Sequence, residues 1–340
     1  MSDPWPPVVL IPERSLSDFY GASSIAGDYC GVVSPPAHVM AGIWHHGWTP
    51  FFASLSRLDF FYLGDPRKVR LWVSRKNEET YLKQQGYPHV RAIGHPIVYV
   101  RHASFRRTPG SLLVMPAHSI RWSAHTWSFD RYVEEINAIR DRFSRVVVCV
   151  SPRCLAKGYW GPMFEKAGYE VMAGANHNDR NAYLRAQRMF SSFEYVTTNS
   201  FSSLLAYAPY HGAKVSLYGS YCEMKIEDLV NDPLYKHYPK DIERMVDTYR
   251  EANVRRHLGS FFVDPSKATE RAEWARQELG EENKVSPEEM RRLSEWDAAG
   301  NFKWGLKSAD SRVRVLAKRL FPWTVPLKRR LLGPAEERPG

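Results

Sequence analysis

Between residues 105 and 220, strand-like apolar runs alternate with stretches whose apolar residues recur at helical spacing. The predicted strands are SLLVMP (111–116), RVVVCV (145–150), YEVMAG (169–174), FEYVTT (193–198) and AKVSLYG (213–219). The helical stretches between them are SFDRYVEEINAIRDRF, GPMFEKAG, NDRNAYLRAQRMF and SSLLAYAPYHG. Strands that alternate with helices are typical of a parallel sheet covered by helices. We therefore expect a doubly wound α/β unit here.

The first hundred residues show a less regular pattern of short apolar runs broken by turns. These predicted short strands are VVLIP, CGVVS, GIWHHGWTP, RLDFFYLG, VRLWVS and HVRAIGHP. The segment NEETYLKQQG predicts a helix that ends at Gly86. We therefore expect a smaller N-terminal α/β domain over residues 1–105, followed by the second α/β domain over residues 106–235.

Helical patterns dominate the next part of the chain. The segments are KDIERMVDTYREANVRRHL, PSKATERAEWARQELG and SPEEMRRLSEW. The last has a clear start signal, because Ser286 can act as N-cap before Pro287 and two glutamates. We assign residues 236–300 to a helical segment and residues 301–340 to a basic amphipathic tail.

The composition indicates a globular protein, since 44% of the 340 residues are hydrophobic. The sequence contains no apolar run of about 18 residues, the length that a membrane-spanning helix needs. The N-terminus is acidic and broken by prolines, unlike a signal peptide, so we expect a cytoplasmic protein. The four cysteines are too few and too scattered for a disulfide framework or a zinc site, which predicts reduced thiols.

The net charge of +10 is concentrated near the C-terminus, where residues 301–330 contain nine Lys/Arg and one Asp. Apolar and basic residues interleave there, a pattern that suits the surface of an anionic membrane. We therefore predict peripheral contact of the tail with the inner face of the cell membrane. The alternatives are a solvated basic tail or a final helix packed on the body. Nucleic acid is not an expected partner, because no recognisable binding motif accompanies the charge.

Polar side chains follow four of the predicted strands at the point where each strand ends. They are His118 and Ser119, then Ser151 and Arg153, then Asn199, Ser200, Ser202 and Ser203, and finally Ser220 to Glu223. In an open parallel sheet, ligands bind at the carboxyl ends of the strands. The four loops therefore predict a binding crevice.

The NSFSS loop, residues 199–203, also opens a predicted helix. Hydroxyls and free backbone N–H groups at the positive end of a helix dipole can bind a phosphate. The alternative is simple N-capping by Ser200 or Ser202, which needs no ligand.

Histidines carry the candidate chemistry of the N-terminal part. His45 and His46 stand beside Gly47, and a neutral imidazole there could take a proton from a substrate hydroxyl. The alternative is an aromatic turn in which Trp44 and Trp48 form core. A metal site is not expected, because no carboxylate stands at helical spacing from the histidine pair. His95 begins the turn between the two domains, where it either contacts ligand phosphate or caps the turn.

Four segments, IWHHGW, LWVSRKNEETYLKQQGYPHVRAIGHPIV, SLLVMPAHS and YVTTNSFSSLLAYAPYHGAKVSLYG, resemble motifs of two-domain GT-B transferases that build bacterial surface polymers. That group includes CDP-glycerol glycerophosphotransferases of teichoic acid synthesis and the capsule and lipopolysaccharide transferases that use CMP-activated sialic acid or Kdo. The resemblance covers about residues 40–220. The matching positions are Trp44, His46 and Gly47, then Gly94 and Pro96, then Leu112 to Pro116, and then Asn199, Ser202, Ser203 and Tyr207.

The resemblance implies two Rossmann-like domains that face a cleft, with the acceptor bound to the first and a nucleotide-activated donor to the second. It implies a histidine base, His46 or alternatively His45, and a donor phosphate held by the serine cluster. The contact that the family makes through its usual His-Pro would here be made by Ser151 and Arg153, or supplied by His118 or His177. Ser119 and Glu223, from the strand-end loops, complete the candidate donor site. The chain departs from the family where Ser151-Pro152 replaces a usual His-Pro and where Asn199 replaces an acidic residue.

We therefore expect a glycosyltransferase of capsule or lipopolysaccharide synthesis that acts on a polysaccharide or glycolipid acceptor. The nucleotide-sugar would be a co-substrate, and no metal or other cofactor is expected. Two alternatives stay open: a CDP-glycerol or CDP-ribitol phosphotransferase of the teichoic-acid type, and a non-catalytic, membrane-associated assembly component.

Overall fold

A computed structural model describes most of the chain up to residue 297. The described residues are 6–10, 16–32, 41–44, 47–50, 70–101, 103–119, 125, 127–231 and 233–297. His45, His46, the predicted strand RLDFFYLG and the whole predicted tail of residues 301–340 lie outside them.

A three-stranded parallel sheet forms the N-terminal part, in the order β1-β2-β3. Its strands are β1 (Gly42–Trp44), β2 (Arg70–Val73) and β3 (Val90–Ala92), and the helices of this region are α1 (Ala22–Cys30) and α2 (Lys76–Gln84). The predicted strand CGVVS is wrong at its described positions, because Cys30 ends α1 and Gly31, at φ 68°, is its C-cap. VVLIP forms no strand within residues 6–10, where Leu10 makes a single bridge to Asp179.

A five-stranded parallel sheet follows, in the order β6-β5-β4-β7-β8. Its strands are β4 (Thr108–Val114), β5 (Arg145–Val150), β6 (Glu170–Ala173), β7 (Phe193–Thr198) and β8 (Lys214–Leu217). The connecting helices are α3 (Phe129–Asn137), α4 (Pro152–Ala156), α5 (Gly161–Lys166), α6 (Ala182–Ser192) and α7 (Leu204–Tyr210). The predicted doubly wound sheet is therefore confirmed, with β4 at its centre.

The strands form where the sequence offers continuous apolar runs. RVVVCV is buried from Val147 to Val150, as expected for an inner strand covered on both faces. Leu113 of β4 pairs with Val147 on one side and with Val196 of β7 on the other. The central strand therefore hydrogen-bonds to a neighbour on each side, to β5 on one and to β7 on the other.

The C-terminal part is helical, as predicted. Its helices are α8 (Pro233–His237), α9 (Pro239–Thr248), α10 (Glu251–Leu258), α11 (Ala272–Leu279) and α12 (Pro287–Leu293). Ser286 is the N-cap of α12, since its hydroxyl accepts from the Glu289 N–H over 3.2 Å. The described residues also form short 3₁₀ helices at Leu16–Gly21, Pro96–Tyr99, Arg140–Arg142, Ile226–Asp228, Gly259–Phe261, Pro265–Lys267 and Glu281–Asn283.

The end of α11 packs against the N-terminal sheet. The His95 N–H donates to Leu279 O over 2.8 Å. Gly280, at φ 64°, lies so close to the end of β2 that a Cβ there would stand 1.8 Å from Ser74 O. Only glycine fits this approach. The C-terminal helices therefore brace the N-terminal sheet.

One hydrophobic cluster runs without a break from the first sheet to the second and on to the C-terminal helices. Its buried members include Trp44, Trp72 and Ile93, then Leu113, Val147 and Val215, and then Val254, Leu279 and Met290. Among the described residues, no helix has the length and apolar character needed to span a bilayer.

Candidate functional site

The carboxyl edge of the large sheet has a topological switch point between β4 and β7. The chain leaves β4 toward β5 on one side and later returns to β7 on the other. The loops after these two strands start side by side, because the Met115 N–H donates to Thr197 O over 2.8 Å. Ligands of open α/β sheets bind in the crevice at such a point.

Asn199 joins three strand-end loops at this edge. Its side chain is buried, and its Oδ1 accepts from the Ala117 N–H over 2.9 Å. Its Nδ2 donates to Ser220 O over 3.3 Å and to Cys222 Sγ over 3.1 Å. An aspartate could accept from Ala117 but could not donate to the Ser220 carbonyl. The amide therefore suits this position, and its polar atoms hold the loops together.

Three more residues of the predicted strand-end loops make hydrogen bonds within the protein: Ser220, Glu223 and Ser151. Glu135 accepts from both the N–H and the hydroxyl of Ser220, over 2.7 and 2.6 Å. Glu223 Oε1 accepts from the N–H of Glu251 at the start of α10, over 2.6 Å. Ser151 Oγ is the N-cap of α4 and accepts from the Cys154 N–H over 3.2 Å. These side chains fix the loops that surround the switch point.

Two serines in the loops after β4 and β7, unlike Ser151 and Ser220, have hydroxyls that make no hydrogen bond to another described residue. Among the described residues, Ser119 Oγ and Ser202 Oγ are buried without a hydrogen-bond partner. Ser119 is held next to α4, because its N–H donates to Cys154 Sγ over 3.1 Å. A buried hydroxyl without a partner is unfavourable by about 1–3 kcal/mol, so both groups gain from a ligand that supplies the missing bond.

Basic groups line the same edge. Arg153 is half-buried in the first turn of α4 and has no ion-pair partner within the described ranges, and His118 is exposed. Burial, together with the positive charge of Arg153, lowers the pKa of Lys157, although the Cys154 side chain acts in the opposite direction. The mutual repulsion of Arg153 and Lys157 would be relieved by an anion bound between them.

Ser203 connects this edge to the loop after β1. The Trp48 N–H donates to Ser203 Oγ over 3.0 Å. Gly47, at φ 69°, lies directly over the same hydroxyl, since a Cβ there would stand 2.7 Å from Ser203 Oγ. The structure thus brings together the flank of WHHGW and the NSFSS loop. His45 and His46 are outside the described residues, so their role as base remains a prediction.

His95 is buried in the turn that follows β3. Its Nδ1 accepts from the Ile97 N–H over 3.2 Å and caps the 3₁₀ helix, and its Nε2 lies 3.0 Å from the Tyr207 hydroxyl. With Nδ1 as acceptor, the neutral imidazole carries its proton on Nε2 and donates it to Tyr207. Burial raises the pKa of Tyr207, which keeps its hydroxyl protonated. His95 therefore ties the turn after β3 to α7.

A buried ion-pair group, which the sequence did not predict, fixes the loop after β1. Arg75 pairs with Glu78 over 3.0 Å and with Glu278 of α11. The Trp48 indole N–H donates to Glu278 Oε2 over 3.0 Å, and Arg75 donates to Thr49 O over 3.1 Å. Burial lowers the pKa of Arg75, but the two carboxylates outweigh it and raise the pKa. The sequence signal was the position of Arg75 just before a helix with Glu78 three residues on.

Within the described ranges, no group of three or more His, Cys, Asp or Glu side chains is placed to hold a metal ion. The fold and the site together define an open, doubly wound α/β protein whose candidate ligand site is the β4–β7 switch point.

Among the solved structures that match the chain, two illustrate the low level of similarity. No protein-family model and no curated protein matches the chain. The pneumococcal O-GlcNAc transferase GtfA, in complex with UDP and GlcNAc, is 12% identical over 69% of this chain and 45% of that one, with a TM-score of 0.32. Phytolacca americana UGT2, complexed with UDP-2fluoro-glucose and pterostilbene, is 15% identical over 72% of this chain and 55% of that one, with a TM-score of 0.31. The chain thus spans about half the length of each, and TM-scores this low do not establish a common fold.

Proposed function

We propose that the protein is a glycosyltransferase that moves a sugar from a nucleotide-activated donor to a hydroxyl of a polysaccharide or glycolipid acceptor. The observation that carries the proposal is the contact between the loop after β1 and the start of α7, where the Trp48 N–H meets Ser203 Oγ over 3.0 Å. A transferase needs its two substrates side by side. The contact supports a donor at the switch point and an acceptor next to it.

The donor side of the proposal uses the groups that the fold leaves without partners. Ser119 Oγ and Ser202 Oγ would donate to phosphate oxygens, and Arg153 would neutralise phosphate charge. Asn199, Ser151 and Glu223 would act indirectly, because their side chains hold the surrounding loops. Ser200, Ser203 and His118 complete the edge of this donor site.

The reaction itself requires one proton transfer and one substitution. His46, or alternatively His45, takes the proton of the acceptor hydroxyl, whose oxygen forms a bond to the anomeric carbon of the sugar. The bond from that carbon to the donor phosphate breaks, and the nucleotide leaves with the electron pair. Arg153 stabilises the charge that develops on the leaving phosphate. We propose that no metal ion takes part, so turnover should be the same with and without EDTA.

The proposal is tested by thermal shift with CMP, CDP, UDP and GDP, followed by turnover with the matching nucleotide-sugars. A ligand at a hundred times its dissociation constant stabilises the fold by about 2.7 kcal/mol. Arg153→Gln should lose most of this shift, whereas Arg140→Gln, in the 3₁₀ helix that precedes β5, should keep it. His46→Ala should keep the shift but lose turnover.

Two results would contradict the proposal. A shift with CDP accompanied by turnover of a CDP-alditol, and of no nucleotide-sugar, would favour the glycerol- or ribitol-phosphate transferase. The absence of any shift across the four nucleotides would favour a non-catalytic assembly component. If activity survived in both the His45→Ala and His46→Ala variants, the proposed transferase activity would stand but neither histidine would be its general base.

A further inference from the structure

Residues 6–10, which we name the strap, are held on the surface by their backbone. The hydrogen bonds are Val9 N–H to Asp179 Oδ1 (2.9 Å), Arg180 N–H to Val9 O (2.8 Å), Asn181 Nδ2 to Pro7 O (2.9 Å), and the Arg185 guanidinium to Pro6 O. Asp179 and Arg185 are themselves buried. The fold therefore fixes the strap firmly without using its side chains.

The apolar side chains of the strap point into solvent. Val8 is 49% exposed, Val9 39% and Leu10 59%. In an extended segment successive side chains point to opposite sides, so exposure of all three means that neither side of the strap is covered. Among the described residues, Val230 is the one other large hydrophobic side chain with comparable exposure. Contiguous apolar surface of this kind marks an interaction site.

A second segment, Arg101 with residues 103–107, lies against the same helix and is rich in arginine. Gln187 Nε2 of α6 donates to Arg101 O over 3.0 Å. Further along α6, the Arg188 guanidinium lies 4.6 Å from the centre of the Phe105 ring. The strap thus borders the start of α6, and Arg101 and residues 103–107 border its second half.

The charge of this surface is strongly one-sided. The strap, Arg101, residues 103–107 and residues 179–192 contain six arginines, of which Arg185 is buried, and one acidic residue, Asp179, which pairs with Arg185. That carboxylate is buried and bonded to the strap. Arg101 and Arg106 are exposed, and neither forms an ion pair with another described residue. Elsewhere the protein pairs many of its exposed arginines with carboxylates, for example Arg292 with Glu289.

We propose that the strap, Arg101 and residues 103–107 form a contact surface for an anionic lipid bilayer. Val8, Val9 and Leu10 would enter the boundary between head groups and acyl chains, and the neighbouring arginines would meet the anionic head groups. Apolar side chains flanked by unpaired arginines bind such a surface by burial and by charge together. This surface belongs to the folded body and is distinct from the predicted tail of residues 301–340.

The test is sedimentation of the full chain with phosphatidylglycerol and phosphatidylcholine vesicles. We expect binding to phosphatidylglycerol that weakens at high salt, and at least tenfold weaker binding to phosphatidylcholine. The Val8→Asp/Leu10→Asp variant should bind phosphatidylglycerol at least about tenfold more weakly, since each buried CH₂ contributes about 0.8 kcal/mol. Val230→Asp is the matched control, because it changes an equally exposed valine elsewhere.

A second variant separates the surface from the strap's own fold. Arg101→Glu/Arg106→Glu leaves every strap hydrogen bond in place and should also weaken binding at least about tenfold, from about 1 kcal/mol per basic residue near a charged membrane. Unchanged binding in both double variants would assign all membrane contact to another part of the chain and overturn the proposal. Absence of binding by the unmodified chain would overturn it as well. A strap-dependent dimer in light scattering, without vesicle binding, would identify the occupant as a second copy.

Discussion

The backbone N–H of Trp48 donates to the hydroxyl of Ser203 across 3.0 Å, although the two residues are 155 positions apart in the sequence. The bond joins the loop after the first strand of the small sheet to the first turn of α7 in the large one. The proposed donor and acceptor sites adjoin at this contact. Its contribution to stability can be tested directly by substitution of the residues that form it.

Removal of the Ser203 hydroxyl should destabilise the fold. Ser203→Ala leaves the buried Trp48 N–H without an acceptor, which costs about 1–3 kcal/mol. Ser202→Ala is the matched control in the same loop, because its Oγ has no partner to lose. In urea unfolding, the free energy of unfolding should fall clearly for Ser203→Ala and should not fall for Ser202→Ala. Equal losses would mean that the Trp48 bond contributes nothing.

A side chain at Gly47 should open the same junction. Gly47→Ala places a Cβ 2.7 Å from Ser203 Oγ at a backbone φ of 69°. The left-handed backbone alone costs alanine about 1–2 kcal/mol. Gly158→Ala measures that part by itself, since Gly158 has φ 70° and nothing within 4 Å of its Cβ position.

The difference between the two glycine variants therefore reports the steric contact. The free energy of unfolding should fall more for Gly47→Ala than for Gly158→Ala, and the Gly47→Ala/Ser203→Ala variant should recover part of the difference. An identical fall in the free energy of unfolding for the two single variants would show that the loop after β1 moves away from Ser203 without destabilising the fold.

Substitution of Arg75, which breaks two ion pairs, should lower the free energy of unfolding strongly. Arg75→Met removes the guanidinium that pairs with the buried Glu78 carboxylate, and removal of one member of a buried pair costs about 3–5 kcal/mol. Arg276→Met is the control, because Arg276 forms solvent-accessible pairs with Glu273 over 3.5 Å and with Glu281 over 3.4 Å, each of which contributes about 0–1 kcal/mol. Chemical denaturation distinguishes the two. A loss below about 1 kcal/mol for Arg75→Met would contradict the assignment.

Glu79 should make the fold sensitive to acid. Burial raises the pKa of its carboxyl, but hydrogen bonds from Lys83, Lys76 and the Ala92 N–H outweigh burial and lower the pKa to about 2 from the usual 4.5. Because the folded pKa is the lower one, the stabilisation is complete above pH 4.5 and is lost as the pH falls toward 2. Between these values Glu79→Gln should lose less stability than the unmodified chain. The exposed Glu273→Gln serves as control, and parallel pH profiles for all three proteins would contradict the prediction.

The large sheet could be predicted from sequence because each of its strands is encoded locally. The runs RVVVCV and FEYVTT coincide with β5 and β7, and the alternation with helices implies parallel order. The N-terminal part was harder to predict. The segment before CGVVS forms α1, but its small and polar residues conceal the helical period, and the two valines were mistaken for a strand.

The candidate site was predictable only as a set of loops. Strand ends were visible in the sequence, and so were Ser119 and Ser202. No local pattern shows that Glu135 binds Ser220 or that Asn199 reaches Ala117, because these bonds span 85 and 82 residues. The same is true of Glu278, which meets Trp48 only through the return of the C-terminal helices.

That return also constrains how the chain matures on the ribosome. Trp48 and Glu278 are 230 residues apart, and the turn at His95 takes its backbone partner from Leu279. The N-terminal strands therefore complete their packing only after α11 has been translated. Contacts of such long sequence separation slow folding and leave apolar surface exposed during synthesis. The apolar surface that these N-terminal strands present to α11 therefore stays uncovered until about residue 280 has emerged.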